Sequence, residues 1–261
     1  MERTAQAGVE AAPLPEAMPR QRPGEEPVAA AGEQAVIASG AAASRALAPA
    51  LAVRLRALRP GQLLPTPAGT PFTFTYAVLL TLTSLITRYA PAPLVDAFYR
   101  GSSTDVAHLV RSPLLVLSAS ALWVAGGIVS PYSLCFLLVL TALERRAGGL
   151  RTAGVFVFGH VCATLATEVP VGLAVLAGRL PDSALHRLDY GISFGVAASV
   201  GALSGLLGPW LRWPLLAGFG GMVLADLCTT TDPMTGAGHL ISVLLGVASW
   251  PVLRRGLRPL R

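Results

Sequence analysis

Two side chains late in the chain have the types and settings that nucleophilic chemistry needs. Ser193 lies in Asp189-Tyr190-Gly191-Ile192-Ser193-Phe194-Gly195, and His239 in Gly236-Ala237-Gly238-His239-Leu240. A serine hydroxyl is a weak nucleophile until a neighbouring base takes its proton, and an imidazole is suited to that task. Each residue opens an apolar run, and one further run, Trp213 to Leu227, separates them. If all three cross a membrane, the first and third point the same way, and Ser193 and His239 sit at similar depth, about one helical turn below the outer surface. Their faces match too: Ser193 shares a side with Ala197, Gly201 and Ser204, and His239 with Ser242, Gly246 and Ser249. Small residues let membrane helices approach closely. A serine that starts such a helix ordinarily bonds to backbone, and a lone interfacial histidine is ordinarily structural. Matched depth, matched faces and the glycines Gly191, Gly195, Gly238 and Gly246 together favour a base-activated hydroxyl.

The elements that would hold this pair follow from composition. Of 261 residues 53% are hydrophobic and 13% charged, too little charge to coat a soluble domain. All 20 basic residues are arginine, and there is neither lysine nor asparagine. A Ser-Lys dyad, a lysine Schiff base and a Walker phosphate loop are thereby excluded. The net charge of +6 comes from short arginine clusters beside apolar segments, which speaks for membrane orientation and against a nucleic-acid face. Cys135, Cys162 and Cys228 fall in apolar stretches without CxxC spacing and read as small core hydrophobes.

Residues 1–65, rich in Ala, Pro, Glu and Arg, read as a disordered cytoplasmic tail without the anatomy of a signal peptide. Ala43 to Leu58 within it also suits a basic amphipathic helix on a membrane surface. A transmembrane domain is expected over 66–254, followed by a basic cytoplasmic tail, 255–261. Five apolar runs are long enough for a hydrocarbon core about 30 Å thick. The pair from Pro113 to Leu143 is either two spans or one span preceded by a re-entrant or interfacial segment. With six spans, eleven arginines flank the face shared with the N-terminus and five the opposite face, as the positive-inside rule requires. The expectation is an all-α, six-helix multi-pass protein of the plasma membrane with both termini cytoplasmic. No inverted repeat of the transporter kind is visible.

Other polar residues fall inside the apolar runs. His160, Thr164 and Glu168 recur at every fourth position and form one stripe. Asp226 and Asp232 are placed to meet that stripe or to orient His239, and Glu168, Asp189, Asp226 and Asp232 are the candidates for a third member of a triad. The structural alternative, in which His160 and Glu168 hold helices together, is favoured. A metal site of His160, Glu168 and Asp226 lacks any local ligand signature such as HExxH, and a third reading, a small transporter, would use the same residues as a proton relay. Ser102, Ser103, Thr104, Asp105 and His108 read as an exterior loop or helix cap, and Asp182 and His186 as solvated.

The Gly-x-Ser element at Gly191 and Ser193, the Gly-His of Gly238 and His239 followed by Gly246, and the run Leu143-Glu144-Arg145-Arg146-Ala147-Gly148 resemble the rhomboid family of intramembrane serine proteases, particularly its divergent bacterial members. The resemblance covers residues 72 to 253. It implies a six-helix bundle with a membrane-associated loop between helices 1 and 2, a Ser193–His239 dyad without cofactor or metal, and hydrolysis of transmembrane protein substrates near the outer face. Two departures are visible. Phe194 stands where the family's motif usually has a glycine, and the His-x-x-x-Asn element that binds the oxyanion falls at Ile128 and Tyr132 when counted back from Glu144. These departures motivate the alternative of an inactive rhomboid-like protein that binds membrane clients.

Overall fold

A computed structural model describes residues 63–229 and 232–255. The segment Ala43 to Leu58, the tail up to residue 62 and residues 256–261 lie outside the described residues. Every regular element among the described residues is helical. These are α1 (Pro71–Tyr89), α2 (Ala92–Gly101), α3 (Val106–Arg111), α4 (Pro113–Ser120), α5, α6 (Gly149–Leu176), a 3-10 turn (Asp182–His186), α7 (Ser193–Ser204), α8 (Pro209–Thr229), α9 (Pro233–Ala248) and α10 (Trp250–Arg255). Helix α5 joins Pro131–Cys135, a π-helical stretch Phe136–Leu140 and Thr141–Ala147. Prolines open α1, α4, α5 and α9, where the missing N–H costs nothing and φ is already helical.

Three segments are long and apolar enough to cross a bilayer: Gly149–Leu176, Pro209–Cys228 and Pro233–Arg255. Helices α1, α5 and α7 do not meet that standard, so fewer spans are self-sufficient than the apolar runs indicate. The extreme case is α7, whose 12 residues rise about 18 Å, well short of a hydrocarbon core about 30 Å thick. Its position explains its length. Every residue from Phe194 to Ser204 is buried, as expected of a helix that is apolar all round. It packs on α6, α8 and α9, and in two places backbones nearly touch. A Cβ at Gly201 would lie 2.2 Å from the Val243 carbonyl oxygen, and one at Gly246 2.0 Å from that of Ala198. The small-residue faces expected of α7 and α9 do meet. Outward, large side chains such as Leu82, Val129, Leu150 and Leu173 are exposed, an apolar surface suited to lipid.

The segment between α1 and α5 resolves the ambiguity at Pro113. After the eight residues of α4 the chain turns and makes no further helix until Pro131, so Pro113 to Val129 does not span. Its backbone is held from α1: the Tyr76 hydroxyl donates to the Ala121 carbonyl at 2.6 Å, and the Thr83 hydroxyl to that of Leu122 at 2.7 Å. Such bonds are what irregular backbone needs where water is scarce. The exterior-loop reading of Ser102 to Asp105 is corrected in part. All four are buried: the Trp123 indole donates to the Ser102 hydroxyl at 2.7 Å, and the Thr104 N–H to the Asp189 carbonyl at 2.8 Å. Asp105 is indeed a cap, accepting from the His108 N–H at 3.0 Å.

Glu144 shows how two helices are tied at one end. Its buried carboxylate accepts from the N–H of Phe72 at 2.9 Å, and from the N–H and hydroxyl of Thr73, both at 2.7 Å. It thus satisfies the open N-terminus of α1 with a negative charge at the positive end of the helix dipole. Glu144→Ala strands these donors, and a loss of about 1–3 kcal/mol is expected. Thermal unfolding of the variant in detergent should show a lowered midpoint; an unchanged midpoint contradicts the capping role.

Candidate active site

Ser193 is the first residue of α7, and the approach to it is fixed by backbone pairing. The Gly191 N–H donates to the Ser120 carbonyl at 3.0 Å and the Ile192 N–H to that of Trp123 at 3.1 Å. Gly191 has φ of 122°, a conformation that side chains rarely adopt, which accounts for glycine two residues before the serine. The segment after α4 therefore acts as a rail along which the chain enters α7. Ser193 itself is half-buried.

His239, in the second turn of α9, is 4% exposed and held on two sides. The Tyr132 ring stacks on it with centroids 5.1 Å apart, and the Phe194 ring meets it nearly edge-on at 5.2 Å. The Tyr132 hydroxyl lies 3.3 Å from Nδ1, while Nε2 is buried without a hydrogen-bond partner among the described residues. No hydrogen bond joins Ser193 to His239. Phe194, the departure from the Gly-x-Ser-Gly pattern, turns inward, and Gly238 makes room for it: a Cβ there would lie 2.4 Å from the Phe194 ring. Gly195 does the same for Phe156 of α6, again at 2.4 Å. The glycines of the motif are thus accounted for by backbone conformation at Gly191 and by packing at Gly195, Gly238 and Gly246.

Arg187 gathers three of the candidate third partners: it pairs with buried Glu168 of α6, donates to Asp232 at 2.6 Å and lies 3.8 Å from Asp189. It also reaches the Thr235 hydroxyl at 3.3 Å. Asp232 caps α9, accepting from the N–H of Met234 at 3.1 Å and from the Thr235 hydroxyl at 2.7 Å. Partial burial pushes the Asp232 carboxyl upward, yet the Thr235 hydroxyl and the Arg187 charge outweigh it and hold the group below the usual range. Asp226 on α8 is within electrostatic reach of both Tyr132 and His239, and Asp232, besides its bond to Arg187, is within reach of His239 as well.

The expected stripe is present, since His160, Thr164 and Glu168 are all buried, but its ends lead to different places. The His160 Nε2 lies 3.2 Å from the Ser120 hydroxyl and 3.1 Å from the Leu117 carbonyl, fastening α6 to α4. Glu168 goes to Arg187. Among the described residues no hydrogen bond links His160 and Glu168 into a relay, and no group of three or more His, Cys, Asp or Glu side chains could hold a metal ion. The three cysteines are free.

Tyr132 and Arg187 are the residues that sequence reasoning missed. The count back from Glu144 reaches Tyr132, but as the loss of an asparagine and not as a side chain in its own right. Arg187 carries no local signal, because its partners lie on three separate elements.

Arg187 spans the loop before α7 and the cap of α9, so Arg187→Gln leaves Glu168 buried without its cation. A destabilisation of about 3–5 kcal/mol is expected. Adding Glu168→Gln should recover part of it in thermal unfolding, whereas strictly additive losses contradict the pairing.

A family model described as "Rhomboid-like protein" matches residues 68–258. No match was found among curated proteins or among solved structures. The matched stretch takes in Glu144, Ser193 and His239 and all helices from α1 to α10. With three helices able to cross a bilayer and no strand among the described residues, the chain belongs to the rhomboid-like protein family.

Proposed function

We propose that this membrane protein is a serine protease of rhomboid type, in which Ser193 attacks a substrate peptide carbonyl and His239 takes its proton. The observation that carries this reading is the setting of His239. Its ring is stacked on by Tyr132 and met edge-on by Phe194, the residue bonded to Ser193, with one nitrogen engaged by a hydroxyl and Nε2 without a partner among the described residues. A general base needs a fixed ring and one nitrogen kept in hand.

In the reaction the Ser193 oxygen adds to the carbonyl carbon as its proton passes to Nε2, and the imidazolium then protonates the leaving amine. Water repeats the sequence to release the acyl chain. The oxyanion needs donors, and the chain has no asparagine to supply one. The first-turn N–H groups of α7 have no intrahelical acceptors and lie beside the nucleophile, which suits them to that task. Because α7 is shorter than the bilayer, its serine end lies sunken, and water reaches it from the outer side. Substrates are transmembrane helices whose ends unwind, since helical peptide bonds are protected by their own hydrogen bonds. Six crossings in the plasma membrane, with both termini cytoplasmic, complete the reading.

The absent Ser193–His239 hydrogen bond and the lack of asparagine favour a second reading, an inactive relative that holds membrane clients. A fluorophosphonate probe separates the two. On the protease reading it labels the wild type and not Ser193→Ala, and cleavage of a single-span substrate is lost in both Ser193→Ala and His239→Ala. Equal labelling of wild type and Ser193→Ala removes Ser193 as the nucleophile. Client capture undiminished in both variants, with no cleavage by folded wild type, establishes the second reading.

A further inference from the structure

A glycine inside a membrane helix either lets a neighbour close in or leaves room. Gly201 and Gly246 do the first. Gly154, in the second turn of α6, does the second: a Cβ built on it would meet nothing within 4 Å. Glycine is a costlier helix residue than alanine, yet no described residue stands where a side chain here would be. The room over Gly154 belongs to a groove of about 370 Å3 between α6 and the segment formed by α9 and α10. Val155 and Leu253 are its buried floor, and Phe158 and Val252 are its exposed walls. Gly154, Val155 and Phe158 follow Arg151 at helical spacing, so guanidinium and apolar wall share one stripe of α6 about 10 Å long. Arg151 donates to the Ala147 carbonyl at 3.2 Å, which holds its charge at the end where α6 begins. On the other wall, Arg255 lies one turn beyond Val252, at the end where α10 finishes. The groove is thus apolar along its length and cationic at one end.

That end of the bundle is short of acids. Arg145, Arg146, Arg151, Arg212, Arg254 and Arg255 stand there against Glu144 alone among the described residues, and the Glu144 carboxylate is taken up by Phe72 and Thr73. Arg212 and Arg254 are committed to carbonyls at the end of α7, and both lie over the Trp250 ring. Arg151 and Arg255 are the two that flank the groove.

We propose that this groove binds an anionic phospholipid, with an acyl chain lying over Gly154 between Phe158 and Val252 and the phosphate meeting Arg151 and Arg255. A guanidinium presents a planar fork of donors that matches phosphate oxygens. Basic pockets between membrane helices select anionic headgroups, and in the six-span reading this end is the cytoplasmic one. A soluble anion would use the charge and leave the apolar walls bare; here the two are joined end to end, as they are in an amphiphile standing in a bilayer. Both α6 and α9 pack on α7, so a lipid wedged here supplies a contact where those two helices stand apart. The inference needs no reaction at Ser193 and is independent of the hydrolase reading.

Full-length protein, stripped of lipid in detergent, is unfolded thermally in mixed micelles containing phosphatidylglycerol or phosphatidylcholine. The wild type should show the higher midpoint with phosphatidylglycerol, because a ligand of the native state stabilises it. In native mass spectrometry phosphatidylglycerol should be retained about tenfold more strongly than phosphatidylcholine. Arg151→Gln with Arg255→Gln should abolish most of this preference. Arg145→Gln with Arg146→Gln removes the same charge from the same end outside the groove and should keep it. Gly154→Leu fills the groove with its charges intact; it should lose the phosphatidylglycerol effect while unfolding no earlier than the wild type in phosphatidylcholine. If that variant does not fold, the two arginine pairs decide. An equal loss in both pairs, a full effect in folded Gly154→Leu, or a wild type that does not distinguish the two lipids overturns the proposal. So does inorganic phosphate that raises the midpoint as far as the lipid.

Discussion

In a hydrocarbon surround, apolar side chains gain nothing by leaving lipid for protein, so helices are held by close packing and by polar bonds. The contact between α7 and α9 is the place where this chain meets that constraint most directly. Gly201 faces the carbonyl of Val243, and Gly246 faces that of Ala198, at separations that no side chain could share. With backbones in contact, the relative height of the two helices is set to within a fraction of a turn, and with it the spacing of Ser193 and His239. The total burial of α7 follows: a helix shorter than the hydrocarbon core is enclosed by longer ones around it.

Polar ties do the rest of the work, each placed where an element would otherwise end unsupported. Glu144 closes the start of α1. Ser120 and Trp123 lend carbonyls to the chain entering α7. Arg187 joins α6 to the cap of α9 through Glu168 and Asp232. The last two converge on the short loop that leads to Ser193, so this residue stands at the end of a segment held from both sides.

Much of this was legible in the residues. The Gly/Ser faces of α7 and α9 predicted their contact, and the order of three weak motifs pointed to the rhomboid-like family. Other features were hidden for definite reasons. Run length measures hydrophobicity and not enclosure, so it overstated the number of self-sufficient spans and could not decide Pro113 to Val129. The polar residues Ser102 and Thr104 look solvated by type, but they are bonded to Trp123 and Asp189, 21 and 85 residues away. The Arg187 cluster is likewise visible only once three elements are folded together. Tyr132 was passed over because a comparison by motif registers what is missing at a position before it weighs what stands there.

The π-helical stretch Phe136–Leu140 lets α5 serve two neighbours at once. A wider turn takes in an additional residue, which rotates everything upstream by roughly 100° relative to regular winding. Upstream lies Tyr132, turned to His239; downstream lies Glu144, turned to the start of α1. The stretch is therefore a phase adjuster: losing a single residue there would let the helix rewind to ordinary pitch and swing one of these two side chains off its target. Chain length in α5 and the aim of its tyrosine are a single coupled variable, inherited or altered together.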